Sequence, residues 1–250
     1  MSGHSHYSTI KRQKGLKDAV KGKIFSRMAM AIQIAVKTGG GGDPDGNAKL
    51  RVAIDQARAV NIPKTNIDRA VAAASLRVSD LEEVAYEGFG PSGVSVIVEA
   101  ATDNRNRTVQ EIKNIFERAG GSMGGVNSVS FNFESKGLVV VAKDVADFDG
   151  QMLKLIDAGA EDIEENGEDV DLYVVSDKLF QTKVVLEGMG FSVKSFELIK
   201  KPINSVVVSD PIAAQKVLNF LDHLEDQGDV QKVFANIDIP QEVVAKMGDQ

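Results

Sequence analysis

Val94-Ser95-Val96-Ile97-Val98-Glu99-Ala100-Ala101 places apolar residues at alternate positions, which predicts a strand with Val94, Val96, Val98 and Ala100 on one face. A polar run follows, Thr102-Asp103-Asn104-Arg105-Asn106-Arg107-Thr108. Thr108 with Glu111 three residues later has the form of a capping box, and behind it Val109, Ile112, Phe116 and Ala119 recur at helical spacing. Gly120-Gly121 closes that helix, and Val129, Phe131 and Phe133 then alternate as a second strand. The stretch therefore reads β-α-β.

Downstream, Gly137 opens a further unit. Residues 138–142 form an apolar strand, and residues 148–158 a helix with Leu153 and Ile156 inward. Residues 161–165 and 168–175 are two strands joined by Asn166-Gly167, a strong hairpin signal. A helix at 178–189 ends at Gly190, and a strand covers 191–198. The order β-α-β-β-α-β is the ferredoxin-like split pattern. Residues 205–208, a helix at 211–227 and residues 230–237 give another β-α-β. Joined to 94–133 it completes a second such unit, with 137–199 inserted into it. An echo links the two. Val174-Val175-Ser176-Asp177 recurs as Val207-Val208-Ser209-Asp210, and each Asp is expected to cap the helix that follows.

Upstream the chain turns helical. Residues 77–83 read as a linker, and 86–93 as a turn-rich approach to the strand. From Leu16, apolar residues fall at Val20, Ile24, Met28, Ala31 and Ala35, with Phe25, Ile32 and Val36 beside them. Gly22 weakens the middle of this helix. Gly39 to Gly42 form a C-cap and loose turn or an anion nest. The Gly-Lys-Ser/Thr of a Walker loop is absent. A second helix spans 48–60 with Leu50, Ile54 and Ala57 inward. A third begins near Pro63 and places Ile67, Ala70, Val71 and Ala74 inward. The expected architecture is α+β: a basic arm and three-helix domain at 1–79, a discontinuous ferredoxin-like α/β domain at 80–136 plus 200–250, and an inserted one at 137–199.

Charge is unevenly spread. The 250 residues carry a net −7. Residues 1–79 hold 14 Lys+Arg against 5 Asp+Glu, or +9, and residues 80–250 hold 15 against 31, or −16. Lys11, Arg12, Lys14, Lys17, Lys21, Lys23 and Arg27 stand together against the single acid Asp18, and Arg51, Arg58, Lys64 and Arg69 fall on outer helix faces. Such a field points to a polyanion, duplex DNA or ribosomal RNA, ahead of a merely solvated helix face. Arg105 and Arg107 at a helix start add a second polar signal. They either bind a phosphate or pair with neighbouring acids such as Asp103.

Other chemistry finds little support. With no cysteine there is no disulfide, thiolate nucleophile or Cys-bound zinc. His4, His6 and His223 supply no local metal set. Asp162, Glu164, Asn166 and Gly167 imitate half an EF-hand loop, but Tyr173 stands where its last ligand belongs, so the acidic run reads as a solvated hairpin. No Gly-x-Ser-x-Gly elbow and no spaced acid/base pair is present. The expectation is a non-enzymatic, cofactor-free, metal-free, cytoplasmic protein with no membrane segment; its oligomeric state is left open by the sequence, with a monomer favoured. A protein-interaction module whose basic helix meets an acidic partner is the other class.

Taken in order, Gly3-His4-Ser5, Ile10-Lys11, Lys23-Ile24-Phe25, Asp43-Pro44 with Asn47, Leu50-Arg51, Pro63-Lys64 with Asn66-Ile67, Arg69-Ala70, Tyr86-Glu87-Gly88 with Gly90-Pro91, and Thr102 to Thr108 resemble the YebC family. The resemblance covers nearly the whole chain. It implies a helical N-terminal domain, two α/β domains with one inserted in the other, and no catalysis. It also implies one of two roles: a DNA-binding transcription regulator, or a ribosome-associated factor that relieves stalls in translation, as in a related mitochondrial translational activator branch. The chain departs from the pattern at His6 and Tyr7, in the short piece Ala74-Ser75-Leu76-Arg77, and at Gly125.

Overall fold

The computed structural model describes residues 18–76 and 81–248. Helices α1 (Asp18–Thr38), α2 (Ala48–Ala59) and α3 (Lys64–Leu76) form the N-terminal unit, and α1 runs unbroken through Gly22. Ile32, Ala35 and Val36 from α1 pack on Leu50, Ala53, Ile54 and Ala57 from α2 and on Ile67 and Ala70 from α3.

The glycine turn is held by Asn47 and is not an open nest. This side chain is 1% exposed. Its Nδ2 donates to the carbonyls of Ala35 and Gly41, both at 2.8 Å, and its Oδ1 accepts from the Leu50 N–H at 2.9 Å, capping α2. Gly39 has no room for a side chain, because a Cβ there would stand 2.0 Å from Asn47 Oδ1. Asn47→Ala is expected to lower unfolding stability by about 2–3 kcal/mol, through a lost cap and orphaned buried carbonyls. A urea titration followed by far-UV circular dichroism checks this.

The first sheet has the order β3-β1-β2-β9, with every neighbouring pair antiparallel. Its strands are β1 (Glu82–Phe89), β2 (Ser95–Thr102), β3 (Ser122–Met123) and β9 (Val230–Ala235). Helices α4 (Arg105–Arg118) and α7 (Pro211–Asp226) cover one face, burying Val96, Val98 and Val233 against Ile112, Phe116, Leu221 and Leu224. The other face buries Ile97, Val129 and Phe133, so β2 is covered on both sides. The ferredoxin-like layout is present. However, the inner position expected for residues 205–208 is taken by β1, from the segment read as linker and turn. Residues Val206–Val207 (β8) pair instead with Ile237–Asp238 (β10) in a separate parallel ribbon. The glycine that disguised β1 has a packing reason. A Cβ on Gly88 would lie 2.5 Å from the Ser122 carbonyl and 2.8 Å from the Phe116 ring.

The strand expected at Val129–Phe133 is a 3-10 turn, Ser130–Asn132, leaving Phe131 exposed. Its cause is Glu87. This buried carboxylate accepts N–H bonds from Asn127, Val129 and Ser130 at 2.9, 2.8 and 2.9 Å and curls the chain around itself.

The second sheet has the order β5-β6-β4-β7, again fully antiparallel, as a split β-α-β pattern requires. Its strands are β4 (Phe133–Ala142), β5 (Asp162–Asn166), β6 (Asp169–Val175) and β7 (Val193–Pro202), with helices α5 (Phe148–Asp157) and α6 (Leu179–Gly188). β4 begins before Gly137 and runs through it. On α5 the inward positions are Gln151 and Leu155, while Leu153 and Ile156 face solvent. Gln151 is turned in because it bonds both sides of the preceding bend, accepting from the Asp144 N–H at 2.7 Å and donating to the Ala142 carbonyl at 2.8 Å. Asp210 caps α7 as expected, but Asp177 does not cap α6, where a 3-10 turn (Ser176–Lys178) intervenes. The acidic hairpin is not simply solvated. Lys136, Lys143 and Lys201 reach Glu161, Glu165 and Asp162 at 2.9, 2.5 and 2.6 Å, and Lys194 reaches Asp169.

The helical unit rests on both sheets. Gln56 donates to the Phe196 carbonyl at 3.0 Å, and Asp55 stands 3.7 Å from Lys183. From α1, Met30 accepts from Gln231. The last helix, α8 (Gln241–Gly248), packs against α7 through Val243.

Candidate nucleic-acid interface

Lys11, Arg12, Lys14 and Lys17 lie outside the described residues, as do the side chains of Lys21 and Lys23, whose backbone belongs to α1. The remaining expected cations divide into two groups. Arg27 donates to the Glu225 carbonyl in the last turn of α7, where a helix end favours positive charge. Arg51 folds back on the glycine turn, reaching the carbonyls of Pro44 and Asp45, both at 3.3 Å. Arg58 pairs with Asp55 at 3.4 Å. These three side chains have protein partners.

Lys64 and Arg69 are different. Both are exposed on α3 and make no hydrogen bond or ion pair among the described residues. Arg69 also lines a groove of about 360 Å³ between α1 and α3, with Phe25, Ser26, Gln33 and Asn66.

The start of α4 separates its two arginines in the same way. Asn104, not Thr108, is the cap, its side chain accepting from the Arg107 N–H at 3.1 Å. Thr108 is buried one turn in. Its hydroxyl donates to Asp229 at 2.5 Å and sits 2.8 Å from the Thr102 hydroxyl. Arg107 bridges Asp103 and Asp229, both at 3.0 Å. Burial alone raises the Asp229 pKa, but the Thr108 hydroxyl and the Arg107 guanidinium together outweigh it and hold the carboxyl below its ordinary value. Asp229 in turn keeps Arg107 charged beyond its normal range. Arg107 therefore locks the loop to Asp229, the residue just before β9. Arg105 remains exposed, with no bonded partner among the described residues. Asp229 has no local motif to announce it, since Arg107 and Thr108, the groups it joins, lie more than a hundred residues away in sequence.

Unpaired cations thus sit on α3 and at the start of α4. Among the described residues no group of His, Cys, Asp or Glu has a metal-binding arrangement, and no helix is long and apolar enough to cross a membrane. The architecture is a mixed one: a basic three-helix unit seated on two antiparallel sheets, each with two helices on one face.

Comparison with known proteins agrees with this description. Residues 5–77 match the model of the TACO1/YebC protein N-terminal domain, and residues 81–237 match that of the TACO1/YebC second and third domain. A protein named "Probable transcriptional regulatory protein" from Sulfurihydrogenibium sp. is 44% identical over 250 residues, spanning 99% of each chain. Another of that name from Geobacter sulfurreducens is 42% identical over 249 residues, covering 99% of this chain and 100% of the relative. The crystal structure of a conserved hypothetical protein from Aquifex aeolicus superposes with a TM-score of 0.84 at 39% identity, covering 91% of this chain and 94% of that one. The chain belongs to the TACO1/YebC family.

Proposed function

We propose that this protein is a non-enzymatic, cytoplasmic regulator that binds nucleic acid through its N-terminal third. The observation that carries the reading is charge: +9 over residues 1–79 on a chain whose remainder is −16. The names of the relatives, probable transcriptional regulatory proteins, agree with a regulatory role. In this reading Lys11, Arg12, Lys14, Lys17, Lys21 and Lys23 join the exposed Lys64, Arg69 and Arg105 in contacting phosphates. Arg27, Arg51 and Arg107 act as structural supports for those surfaces. Phosphate contacts position a protein without reading sequence, and this set contains no Asn or Gln pair arranged for base edges. The acidic remainder orients the complex by repulsion.

The test is a pair of titrations at about 150 mM salt, near physiological ionic strength. One uses random duplex DNA and the other ribosomes, matched in phosphate. If about six phosphates are neutralised on duplex DNA, log K falls with log salt at a slope near −5. A variant carrying Lys14→Glu, Lys17→Glu, Lys21→Glu, Lys64→Glu and Arg69→Glu is expected to lose binding by about a hundredfold or more and to flatten the slope. Preference for ribosomes would identify folded RNA as the target. A wild-type slope of about −1, or binding unchanged in the variant, would refute the proposal.

A further inference from the structure

Helices α4 and α7 lie side by side on the first sheet, and a groove of about 700 Å³ runs between them on the side away from the sheet. They are antiparallel. Gln227, just past the end of α7, donates to Glu111 in the first half of α4 at 2.8 Å. At the other end, a Cβ on Gly120, just past the end of α4, would meet Lys216 Nζ from the first half of α7 at 3.5 Å.

The floor of the groove is apolar, made by Ile115, Ala119 and Phe220. Its rim changes sign along its length. Arg118 and Lys216 stand at one end and make no ion pair among the described residues. Glu111 and Asp226 stand at the other, with His223 between. Ile212, one turn before Lys216 on the same stripe of α7, is 81% exposed and extends the apolar surface past the basic end. From Lys216 to Gln227 the α7 wall is roughly 17 Å long, about three helical turns.

We propose that this groove docks an amphipathic helix of about three turns from a partner protein, with carboxylates over Arg118 and Lys216 and cations over Glu111 and Asp226. An apolar floor inside a polar rim is how a helix-in-groove interface divides affinity from specificity. The two-signed rim argues against a nucleic-acid strand along the groove, because a uniformly anionic backbone would run its phosphates past Glu111 and Asp226. The groove lies on the acidic part of the chain, and none of its lining residues belongs to the basic third.

The test uses the full chain and three synthetic helices of about 14 residues with one shared leucine stripe. One peptide is acidic at one end and basic at the other, one is uniformly acidic and one uniformly basic. Fluorescence anisotropy measures affinity, and amide chemical shifts locate the contact. The two-signed peptide is expected to bind at least about tenfold tighter than either uniform one, with shifts confined to α4 and α7. In the double variant Arg118→Glu/Lys216→Glu the preference moves to the uniformly basic peptide. Asn219→Trp, which fills the groove, abolishes binding of all three. Both variants sit at the surface, and unchanged circular dichroism melts establish that they fold. Equal binding of the three peptides, shifts elsewhere, or a preference unmoved by the charge reversal overturns the proposal. So does a single-stranded RNA oligomer that binds the wild type and is lost from the double variant, which would make the groove a nucleic-acid surface.

Discussion

Glu87→Ala is expected to lower the unfolding free energy by about 3 kcal/mol, measured as a fall in the urea midpoint at neutral pH, because a buried ionised acceptor is removed from several donors at once. Glu87 is 9% exposed, and its carboxylate takes N–H bonds from Asn127, Val129 and Ser130. Asn127 has a φ of +64°, a left-handed conformation that the bond to Glu87 helps to fix. Without the carboxylate the loop loses its organiser, and Val129, buried against Ile97 and Phe133, loses its anchor. Glu87→Gln keeps one acceptor oxygen but turns an amide NH₂ toward N–H donors. About half the loss is expected to persist in it.

The same carboxylate sets part of the acid limit of the fold. Burial pushes the Glu87 pKa up, but the three backbone N–H bonds together outweigh burial and bring it below its ordinary 4.5. Asp229 is likewise held below its ordinary 3.8, with burial opposed by Thr108 and Arg107. Both carboxyls bind protons more weakly in the folded chain than in the unfolded one. The stability they contribute is fully present above the unfolded values and drains away as pH falls through the lower folded ones. Glu99, raised mainly by its burial, works in the opposite sense and returns some stability on protonation. The expected result is a urea midpoint that falls below about pH 4.5, with a shallower fall in Glu87→Gln and in Asp229→Asn. A wild-type midpoint that is flat between about pH 5 and 2.5 would contradict the assignment of both groups.

How much of this was legible in the sequence follows from where each determinant sits. The helices of the N-terminal unit are written in local spacing, and Leu50, Ile54, Ala57, Ile67 and Ala70 are buried where periodicity puts them. The inserted sheet follows from the Asn166-Gly167 hairpin and the flanking strands, and Gly167 adopts the positive φ of +66° that this turn needs. Strand β1 was hidden because Gly88 reads as a turn residue, while the structure needs it for close approach of Phe116 and the Ser122 carbonyl. On α5 a buried glutamine, hydrogen-bonded to the bend before the helix, takes the inward place that hydrophobicity would give to Leu153 or Ile156. The basic character of the N-terminal third is plain from composition. The separation of Arg105 from Arg107 is not, since it depends on Asp229, a residue distant in sequence that only the fold brings alongside. Non-local partners and exceptions of volume are what local pattern cannot encode.

Phe116→Ala is expected to cost about 3–5 kcal/mol, the largest single loss among these substitutions. The ring is fully buried and meets Phe220 edge to face, with centroids 5.0 Å apart and planes at 74°. Two glycines have been shaped around this pair. A Cβ on Gly88 would stand 2.8 Å from the Phe116 ring, and one on Gly90 would stand 2.6 Å from the Phe220 ring. Such walls are backbone of β1 and of the turn after it, so they cannot collapse into the space that alanine leaves, and the cavity term stays near its maximum. Phe116→Leu retains most of the volume and is expected to cost about 1–1.5 kcal/mol. Phe131→Ala removes an equally large ring that is 69% exposed, and less than about 0.5 kcal/mol is expected there. The three values come from chemical unfolding of the full chain, and a Phe131 loss equal to that of Phe116 would contradict the core assignment. α4 carries Arg118 at its end, so its seating on the sheet governs the rim of the groove it shares with α7. Phe220 is also the floor of the α4–α7 groove. Phe116→Leu, which leaves the chain folded, is therefore expected to weaken the two-signed peptide while leaving the salt dependence of nucleic-acid binding nearly unchanged, since the groove floor rests on Phe116, whereas Arg105 alone among the proposed phosphate contacts is carried by α4.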